Sequence, residues 1–449
     1  MIEPTERLLW SVAVVVVVGA LGLAVPVIGV AAPFALVGLL LCVVADVVLA
    51  GSPRALLISR VVPERLIERR VVDVGVVVQA PRRLRVPVQV EVTDTLPEVV
   101  DPWLSFSTRL SAGESVTMTA PRVFLKRGRH RPGRLAVRTL GPLGLVRRRQ
   151  RRLLDDEFAV SADLSVVMER AVRLVQGRDS EGGRRKRAVE RGRDFDSMRE
   201  YRRGDDVRLV DWKATARKGS LVVKELVPET RQDVVVIVDG GRQLCGRNDD
   251  VVAGEATGVG SDRFEVAVTT ALVLCAAALM KGDRCGIGVL QDDVVAWEPP
   301  RSGKSMLKRT ADATADVTAL PLESAYHLLP GFLSARLKRR ALLCVITDVV
   351  DEASGRALAH ALLGLRGRHL VVVLALADPG LSRLARAPVD GADPLGRSMP
   401  LAAQRLVQHR KRGLAALEAA GAVVVDAPAP RAAALAVDAY LALKSAGRL

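Results

Sequence analysis

Aromatic residues are scarce in this sequence and make up 3% of the chain. Proteins that hold single-stranded nucleic acid stack its bases on aromatic side chains, so a binding surface of this kind is not expected. Cysteine and histidine are also few, with five of each. No two cysteines form a C-x-x-C pair and no H-E-x-x-H motif occurs, which argues against a zinc ribbon or a disulfide framework.

The common catalytic motifs are missing as well. SGKS at 302–305 resembles the end of a phosphate-binding loop, but Glu298 stands where that loop needs its first glycine. GDRCGIG at 282–288 lacks the spacing of a dinucleotide-binding loop, and no G-x-S-x-G occurs. We therefore expect no hydrolase, kinase or dehydrogenase site, and a protein that is not an enzyme.

What the chain does have is length, apolar residues and basic charge. Its 449 residues predict two or three domains with sizeable cores. Hydrophobic residues make up 49% and charged residues 26%, which is too apolar for a disordered chain and too charged for a polytopic transporter. The net charge of +16 favours anionic partners: nucleic acid, a phospholipid surface or an acidic protein face.

Residues 1–54 predict a membrane hairpin. The stretch 8–50 contains a single charged side chain, Asp46, and is long enough to cross a bilayer twice. Two prolines and a glycine interrupt its middle, so we expect transmembrane helices near 8–25 and 31–50, with Asp46 at the membrane interface. A cleaved signal peptide is the alternative.

The orientation of such a hairpin follows from its basic residues. The short turn between the helices has none, and Arg7 precedes the first helix. Five arginines follow the second helix: Arg54, Arg60, Arg65, Arg69 and Arg70. We therefore expect a two-pass protein of the plasma membrane, with both termini and the soluble domains in the cytoplasm.

Residues 55–160 have the pattern of a small β-sandwich. LRVPVQVEV at 84–92 alternates with a period of two, as a half-buried strand does. Further short strands are expected in SVTMTAPRVFLKRGRH and GRLAVRTL, separated by turn residues. Pro87 predicts an edge position for its strand, because proline lacks the N–H group that an interior strand donates.

A basic run ends this region. Lys126–Arg152 contains eleven Lys and Arg and no Asp or Glu. It closes with five arginines: Arg147, Arg148, Arg149, Arg151 and Arg152. Beside a membrane anchor these arginines are candidates for contact with anionic lipid head groups. A solvated strand face and a nucleic-acid contact are the alternatives, and we expect membrane lipids rather than nucleic acid as the partner.

Residues 233–449 predict a doubly wound α/β domain. Strands are predicted at 234–239, 285–290, 294–298, 341–348, 369–378 and 422–426. Helices are expected between them, and near-continuous Val, Ile and Leu strands indicate a parallel sheet that is buried on both faces. Asp239, Asp348 and Asp378 end three of these strands, at the sheet edge where such folds bind ligands.

The densest polar stretch lies at 193–225, within a signature segment or linker predicted at 161–232. Charges of alternating sign stand among Phe195, Tyr201 and Trp212, which indicates an ordered network of ion pairs. This stretch either clamps two domains together or forms a binding surface. Just before it, residues 178–194 are polar and contain glycine, which predicts a mobile linker or loop.

The run YRRGDDVRLVDWKATARKGSLVVKE at 201–225 resembles the signature of the bacterial "domain of unknown function 58" family, Y-x-x-G-D-[DE]-x-R-x-[IV]-D-W-K-x-[ST]-A-R. The matching positions are Tyr201, Gly204, Asp205, Asp206, Arg208, Asp211, Trp212, Lys213, Ala216 and Arg217. RGRHRPGRLAVRTLGPLGLVRR at 127–148 is similar to an upstream element of the family, with Gly141 where Asp is usual. The resemblance extends over essentially the whole chain, including the hairpin. It implies a von Willebrand factor A-like C-terminal domain and a partnership with a MoxR-type AAA+ ATPase.

The resemblance also bears on magnesium. Von Willebrand A domains often bind Mg²⁺ through D-x-S-x-S, a later Thr and a further Asp, and oxygen ligands suit this cation. Asp239 and Asp348 match the two carboxylates, whereas Gly241 and Gln243 replace both serines. The segment at 321–329, where the Thr is expected, offers a Glu and a Ser instead. We therefore expect a metal-free scaffold without a cofactor, with Mg²⁺ at the two carboxylates as the alternative.

Together these features predict a membrane-anchored, non-enzymatic interaction or assembly protein. The family resemblance implies that it works with the ATPase in chaperone-like maturation of a client. A metal-dependent adhesion module is one alternative. A hydrolase that uses Asp205, Asp206 and Asp211 is another, although basic neighbours should keep these carboxylates ionised and poor as general acids.

Overall fold

The computed structural model describes residues 2–24, 26–63, 66–84, 86–96, 99–154, 156–182, 197–201, 210, 212–225, 231–248, 261–388 and 394–449. The chain forms two compact units, Met1–Asp163 and Leu164–Leu449. Both helices and strands contribute to it, so the expected mixture of α and β structure is confirmed. The domain boundaries predicted at residues 54, 160 and 232 stay predictions.

Two apolar helices begin the first unit: α1, Glu6–Ala24, and α2, Pro26–Leu49. They pack against each other, and most of their described side chains are exposed. α2 begins earlier than expected because a proline at the first position of a helix costs no hydrogen bond there, and Pro33 lies inside it. Two described stretches have the length and composition to cross a membrane, Val30–Ala55 and Arg263–Met280, and the second is mostly buried.

The carboxylate of Asp46 fixes the end of α2 to a β-turn. Asp46 is fully buried, and its oxygens accept hydrogen bonds from the backbone N–H groups of Leu143 at 2.7 Å, Leu145 at 2.7 Å and Val146 at 2.8 Å. The sequence predicts a membrane interface around Asp46, whereas the structure surrounds this carboxylate with protein. Three N–H donors replace the water that a buried carboxylate loses.

The β-structure of the first unit lies on both sides of the two helices in sequence: β1 precedes α1 and the other strands follow α2. Its strands are β1 (Ile2–Pro4), β2 (Leu57–Val61), β3 (Leu66–Ile67), β4 (Val71–Gln79), β5 (Val88–Thr95), β6 (Trp103–Leu110), β7 (Ser115–Val123), β8 (Gly128–His130), β9 (Leu135–Leu140), β10 (Val146–Arg152) and β11 (Phe158–Ser161). They form a five-stranded sheet in the order β1-β10-β9-β5-β6 and two three-stranded sheets, β2-β4-β7 and β3-β11-β8. Buried valines of β4, β5 and β9 share one hydrophobic core.

The position of Pro87 corrects one expectation. The strand after Pro87 was predicted to lie at an edge, but β5 pairs with β6 on one side and β9 on the other. Pro87 precedes the first residue of β5, Val88, so its missing N–H group removes no bond from the ladder.

The arginines of the basic run largely find partners within the first unit. Their contacts are Arg147 with Glu91 (3.7 Å), Arg148 with the carbonyl of Gly51 (3.3 Å), Arg149 with Glu3 (3.5 Å) and Arg152 with the carbonyl of Leu56 (2.7 Å). The fifth, Arg151, is exposed. Contact of this run with lipid stays a prediction, and Arg151 is the residue of the five that is best placed for it.

The second unit contains a six-stranded sheet. Its strands are β14 (Asp233–Asp239), β17 (Arg284–Leu290), β18 (Val294–Arg301), β19 (Ala341–Thr347), β20 (Leu370–Ala377) and β21 (Val423–Pro428). Their order is β18-β17-β14-β19-β20-β21, and the pairs are parallel except for β17 with β18. Two short pairs accompany the sheet: β12 (Ser197–Glu200) with β13 (Val222–Glu225), and β15 (Arg247–Asn248) with β16 (Ser261–Asp262).

Helices cover both faces of this sheet. They are α3 (Leu164–Gly182), α4 (Trp212–Lys218), α5 (Arg263–Met280), α6 (Met306–Thr314), α7 (Leu329–Arg336), α8 (Glu352–Leu363), α9 (Pro379–Arg386), α10 (Pro394–Ala419) and α11 (Ala432–Ser445). α5 packs on β14 and β17 together with α3, α6 and α11, while α7, α8 and α10 share a core with the other face. All residues of β14 and β19 are buried, as a sheet between two helical layers requires.

Some elements depart from the sequence-based expectation. The helix expected near 322–338 is a short 3-10 turn, Tyr326–Leu328, followed by α7. Residues 178–182 continue α3 rather than start a linker. Earlier in that helix, Val167, Ala171 and Val175 form one buried stripe. The rest of the predicted linker, to residue 194, lies outside the described residues.

Candidate functional site

Two of the predicted strand-end aspartates lie on neighbouring strands at one edge of the six-stranded sheet. Asp239 ends β14, and Asp348 follows β19, its parallel neighbour. The chain continues from β14 to β17 on one side and later to β19 on the other, so the strand order reverses here. Asp378 follows β20 and caps α9, accepting a hydrogen bond of 2.8 Å from the N–H group of Gly380.

The carboxylate of Asp239 accepts four hydrogen bonds. The backbone N–H group of Gly241, at 2.9 Å, and the hydroxyl of Ser324 donate to Oδ1. The hydroxyls of Tyr326 and, at 2.5 Å, Thr347 donate to Oδ2. Burial and the charge of Asp239 raise the pKa of Tyr326 well above its ordinary value, so its hydroxyl keeps the proton that it donates.

Ser324 occupies the space in which a side chain at residue 241 would lie. A Cβ atom at residue 241 would lie 2.2 Å from Ser324 Oγ and 2.7 Å from the carbonyl oxygen of Leu322. The backbone bond from Arg242 N–H to the same carbonyl, at 2.7 Å, keeps the two segments together. A serine from a later loop thus reaches Asp239 in place of one from the D-x-S-x-S position.

The carboxylate of Asp348 lies between two arginines. Arg263, the first residue of α5, donates to Oδ2, and Arg410 of α10 donates to Oδ1. Arg410 also donates to the carbonyl of Val349 at 3.0 Å and to Asp426 at 2.7 Å. Burial alone would lower the pKa of Arg410, but the charges of Asp348 and Asp426 outweigh it and raise that pKa. Arg410 therefore joins α10 to two strands through charge-assisted bonds.

These contacts do not fit a magnesium site. Mg²⁺ requires a near-octahedral set of oxygen ligands. Both oxygens of Asp348 already face guanidinium groups, whose positive charge repels a cation, and the oxygens of Asp239 are saturated by donors. Within the described ranges, no group of three or more His, Cys, Asp or Glu side chains could hold a metal ion. Magnesium binding at Asp239 and Asp348 stays a prediction, and the arginines and hydrogen-bond donors around both carboxylates argue against it.

The signature segment is described in part. Gly204, Asp205, Asp206, Arg208 and Asp211 lie outside the described residues. Tyr201 donates its backbone N–H group to the carbonyl of Leu221 at 2.8 Å, beside the β12–β13 pair. Trp212, Lys213 and Arg217 lie on α4 with exposed side chains. The segment therefore presents an indole and two basic groups on a short helix.

A protein-family comparison decides the identity of this region. Residues 197–394 match the model of "Protein of unknown function DUF58", a range that includes the run at 201–225, Asp239 and Asp348. These residues belong to the DUF58 family. The resemblance drawn from the signature is thereby confirmed for residues 197–394, and its extension over the rest of the chain stays a prediction. No curated protein matches the chain.

Several solved structures show a distant similarity. BatB from Bacteroides thetaiotaomicron is 15% identical with a TM-score of 0.29, and the match covers 47% of this chain and 97% of that one. An uncharacterized membrane spanning protein from Vibrio fischeri is 12% identical with a TM-score of 0.17, over 48% and 98%. The PilB minor pilin from Streptococcus sanguinis is 7% identical with a TM-score of 0.33, over 82% and 89%. TM-scores this low carry no argument about function.

The sequence did not predict several residues at the sheet edge that carries Asp239 and Asp348. Thr347 and Tyr326 contact Asp239. Their position in the sequence was the one indication: Thr347 precedes Asp348, and Tyr326 lies in the segment 321–329 where a Thr ligand was expected. Arg263 gives a weaker one, as a charged residue at the start of an apolar helix. Arg410 gives none, because it lies beyond the family match and among many arginines of α10.

A separate, exposed ion pair lies at the same sheet edge, beside Asp239. Arg242 and Glu323 approach to 2.7 Å with both side chains more than half exposed. Such a pair contributes little to stability because water screens it. It places charges of both signs on the loops that carry Arg242 and Glu323.

Proposed function

We propose that this chain is a two-pass membrane protein whose cytoplasmic part is a non-enzymatic interaction module. In this proposal the α/β unit is von Willebrand factor A-like and works with a MoxR-type AAA+ ATPase in chaperone-like maturation of a client. The DUF58 match and the apolar helices of the first unit support it.

One observation carries the proposal: the carboxylates at the sheet edge are already engaged. Asp239 accepts bonds from three hydroxyls and a backbone N–H group, and Asp348 pairs with two guanidinium groups. A general acid or base needs a proton site open to substrate, and a metal site needs free oxygens. Saturated carboxylates favour a structural role for this edge over a catalytic one, and so a protein that acts by binding.

Trp212 is the best candidate for the ATPase contact. Its side chain is 64% exposed at the start of α4. Tryptophan and arginine are enriched among the residues that dominate binding energy at protein interfaces, and Arg217 lies on the same short helix. We propose that α4, rather than the loops above Asp239, forms the centre of the interface.

Binding of the ATPase to two matched tryptophan variants tests this. Trp103 on β6 is 62% exposed and provides the control. The full chain in detergent would be titrated against a MoxR-type ATPase encoded in the same genome, by biolayer interferometry. We expect Trp212→Ala to raise the Kd at least about tenfold and Trp103→Ala to leave it unchanged. Equal affinity of both variants would reject α4, and absence of binding by the wild type would reject this partner.

The membrane topology needs its own test. Reporter fusions at residues 24 and 449, and at the N-terminus, distinguish cytoplasmic from exported positions. We expect cytoplasmic activity at both termini and export at the turn. An exported C-terminus would reject the orientation and favour an outward-facing adhesion module.

No observation favours either alternative function. The arginines beside Asp348 oppose a magnesium-dependent adhesion site. A hydrolase site at Asp205, Asp206 and Asp211 falls outside the described residues.

A further inference from the structure

A cavity of about 500 Å³ lies in the first unit, where α2 ends against the β-structure. One wall is the last turn of α2 and the residue after it, Val48 to Ala50. The opposite wall consists of Val88, Val90 and Leu110 from β5 and β6, all of them buried. The cavity therefore lies directly at the end of the apolar helix α2.

The lining is apolar with few polar groups. Its polar side chains are those of Ser52, Arg83 and Thr139, and the Thr139 hydroxyl already faces the carbonyl of Gly51 at 3.5 Å. Arg83 is exposed and so belongs to the rim. The volume lies within the range of small-molecule sites. Apolar surface of this extent is unfavourable when water covers it, and an apolar ligand that displaces the water stabilises it.

The walls of the cavity are held in place. Asp46 binds the end of α2 to the turn at residues 143–146, as described above. Arg148 and Arg152 donate to the carbonyls of Gly51 and Leu56 at 3.3 and 2.7 Å, which secures the segment that follows α2. The cavity therefore does not depend on a mobile loop to stay open.

We infer that this cavity binds one acyl chain of an anionic phospholipid, with Arg83 beside the head-group phosphate. The inference rests on the membrane anchoring proposed above but is independent of the ATPase. Val48 lines the cavity and is itself part of the exposed apolar surface of α2, so an acyl chain enters from the bilayer past Val48 without crossing water. A guanidinium group pairs well with phosphate, and the head group then lies at the exposed rim.

Lipid retained by the full-length protein tests the inference. The protein would be expressed in bacteria, recovered from membranes, washed extensively in detergent and measured by native mass spectrometry with lipid extraction. Ala55→Trp fills the mouth, because Ala55 lines the cavity and is exposed, so the substitution does not overpack a core. Arg83→Glu reverses the rim charge. Arg82→Glu is the matched control, since Arg82 is exposed and adjacent but does not line the cavity.

We expect about one phospholipid per wild-type chain, at least a fivefold loss in Ala55→Trp and a loss of anionic lipid in Arg83→Glu, with Arg82→Glu unchanged. Retention equal to wild type in Ala55→Trp would overturn the inference, as would a bound free fatty acid or no lipid at all. Membrane fractionation separates the two proposals. A chain in the membrane fraction without retained lipid contradicts the lipid site alone, whereas a chain outside that fraction contradicts both.

Discussion

Two glycines stand where the family resemblance leads one to expect Asp and Ser, and at each the space belongs to a side chain from elsewhere. A Cβ atom at Gly141 would lie 2.2 Å from Asp46 Oδ1, and one at Gly241 would lie 2.2 Å from Ser324 Oγ. Asp46 thus places a carboxylate where an Asp was expected, and Ser324 places a hydroxyl where a Ser was expected. The departures from the motif are thus compensated at long range, which no local pattern in the sequence reveals.

The pair of Asp46 and Gly141 makes a direct test of this compensation. Asp46→Ala leaves three backbone N–H groups without their acceptor, each worth about 1 to 3 kcal/mol when buried. Gly141→Asp alone should also destabilise, because two carboxylates would compete for one space. We expect the double variant to recover more than half of the stability that Asp46→Ala loses, measured as the melting temperature in detergent.

A control and a contrary outcome accompany this prediction. Gly38→Ala places a Cβ atom in open space on α2 and should not lower the melting temperature. Additive losses in the double variant would mean that an Asp at residue 141 cannot take over the bonds of Asp46.

The environment of His369 predicts that the stability of the folded state depends on pH. Its Nδ1 accepts a hydrogen bond of 3.2 Å from the N–H group of Ala341. Burial, followed by the charge of Arg368, lowers its pKa below the ordinary 6.5. The unfolded chain then binds a proton at His369 more readily than the folded chain does. The contribution of neutral His369 to the free energy of unfolding is therefore complete above pH 6.5 and is lost as pH falls through the folded-state pKa.

Urea unfolding at pH 7.5 and at pH 5 measures the effect. We expect the wild type to lose more stability on acidification than His369→Asn, whose amide oxygen can accept the same bond without titrating. His360→Asn, at an exposed histidine of α8, should behave like the wild type. Identical pH profiles for wild type and His369→Asn would exclude His369 as the source.

At the scale of elements, the buried strands were the most predictable part of the fold. The run predicted at 234–239 is β14, Asp233–Asp239, because a strand buried on both faces requires an unbroken apolar sequence. α9 was not predicted, since its eight residues pack no buried side chain into the core. The interior position of β5 and the contacts of Asp46 depend on pairings across long stretches of chain, and a single sequence does not carry that information.

Arg410 is predicted to hold α10 in place. Removing one partner of a buried ion pair leaves the other charge unpaired, which costs about 3 to 5 kcal/mol. We expect Arg410→Met to lower the free energy of unfolding by that amount in chemical denaturation. Arg412→Met, on the same helix, should change it by less than about 0.5 kcal/mol, because the Arg412 side chain is mostly exposed and lies 3.9 Å from Glu352. Equal effects of both would show that Asp348 does not depend on Arg410.

At the scale of the whole molecule, the hairpin and the β-structure are parts of one unit. β1 pairs with β10, and the Thr5 hydroxyl donates to the carbonyl of Gly144 at 2.6 Å. Asp46 completes the attachment. These contacts cross the boundary predicted at residue 54, so a fragment that begins there loses part of the structure that surrounds the turn before β10.

Hydrogen exchange compares the full chain with a fragment of residues 55–449. The amides of Leu143, Leu145 and Val146 lose their acceptor in the fragment, and we expect their exchange to be at least about tenfold faster. The amides of β14, which pair with β17 and β19, should exchange alike in both proteins. Unchanged protection of the turn would mean that the hairpin is dispensable for it.

The pairing of β1 with β10 also sets an order of events during biosynthesis. Ile2 is synthesised well before its partner, Arg148. At translation rates of about 5 to 20 residues per second, that partner arrives roughly 7 to 30 seconds later. The helices between them are complete long before then. β1 can therefore pair with β10 only after both helices and the strands β2 to β9 have been synthesised.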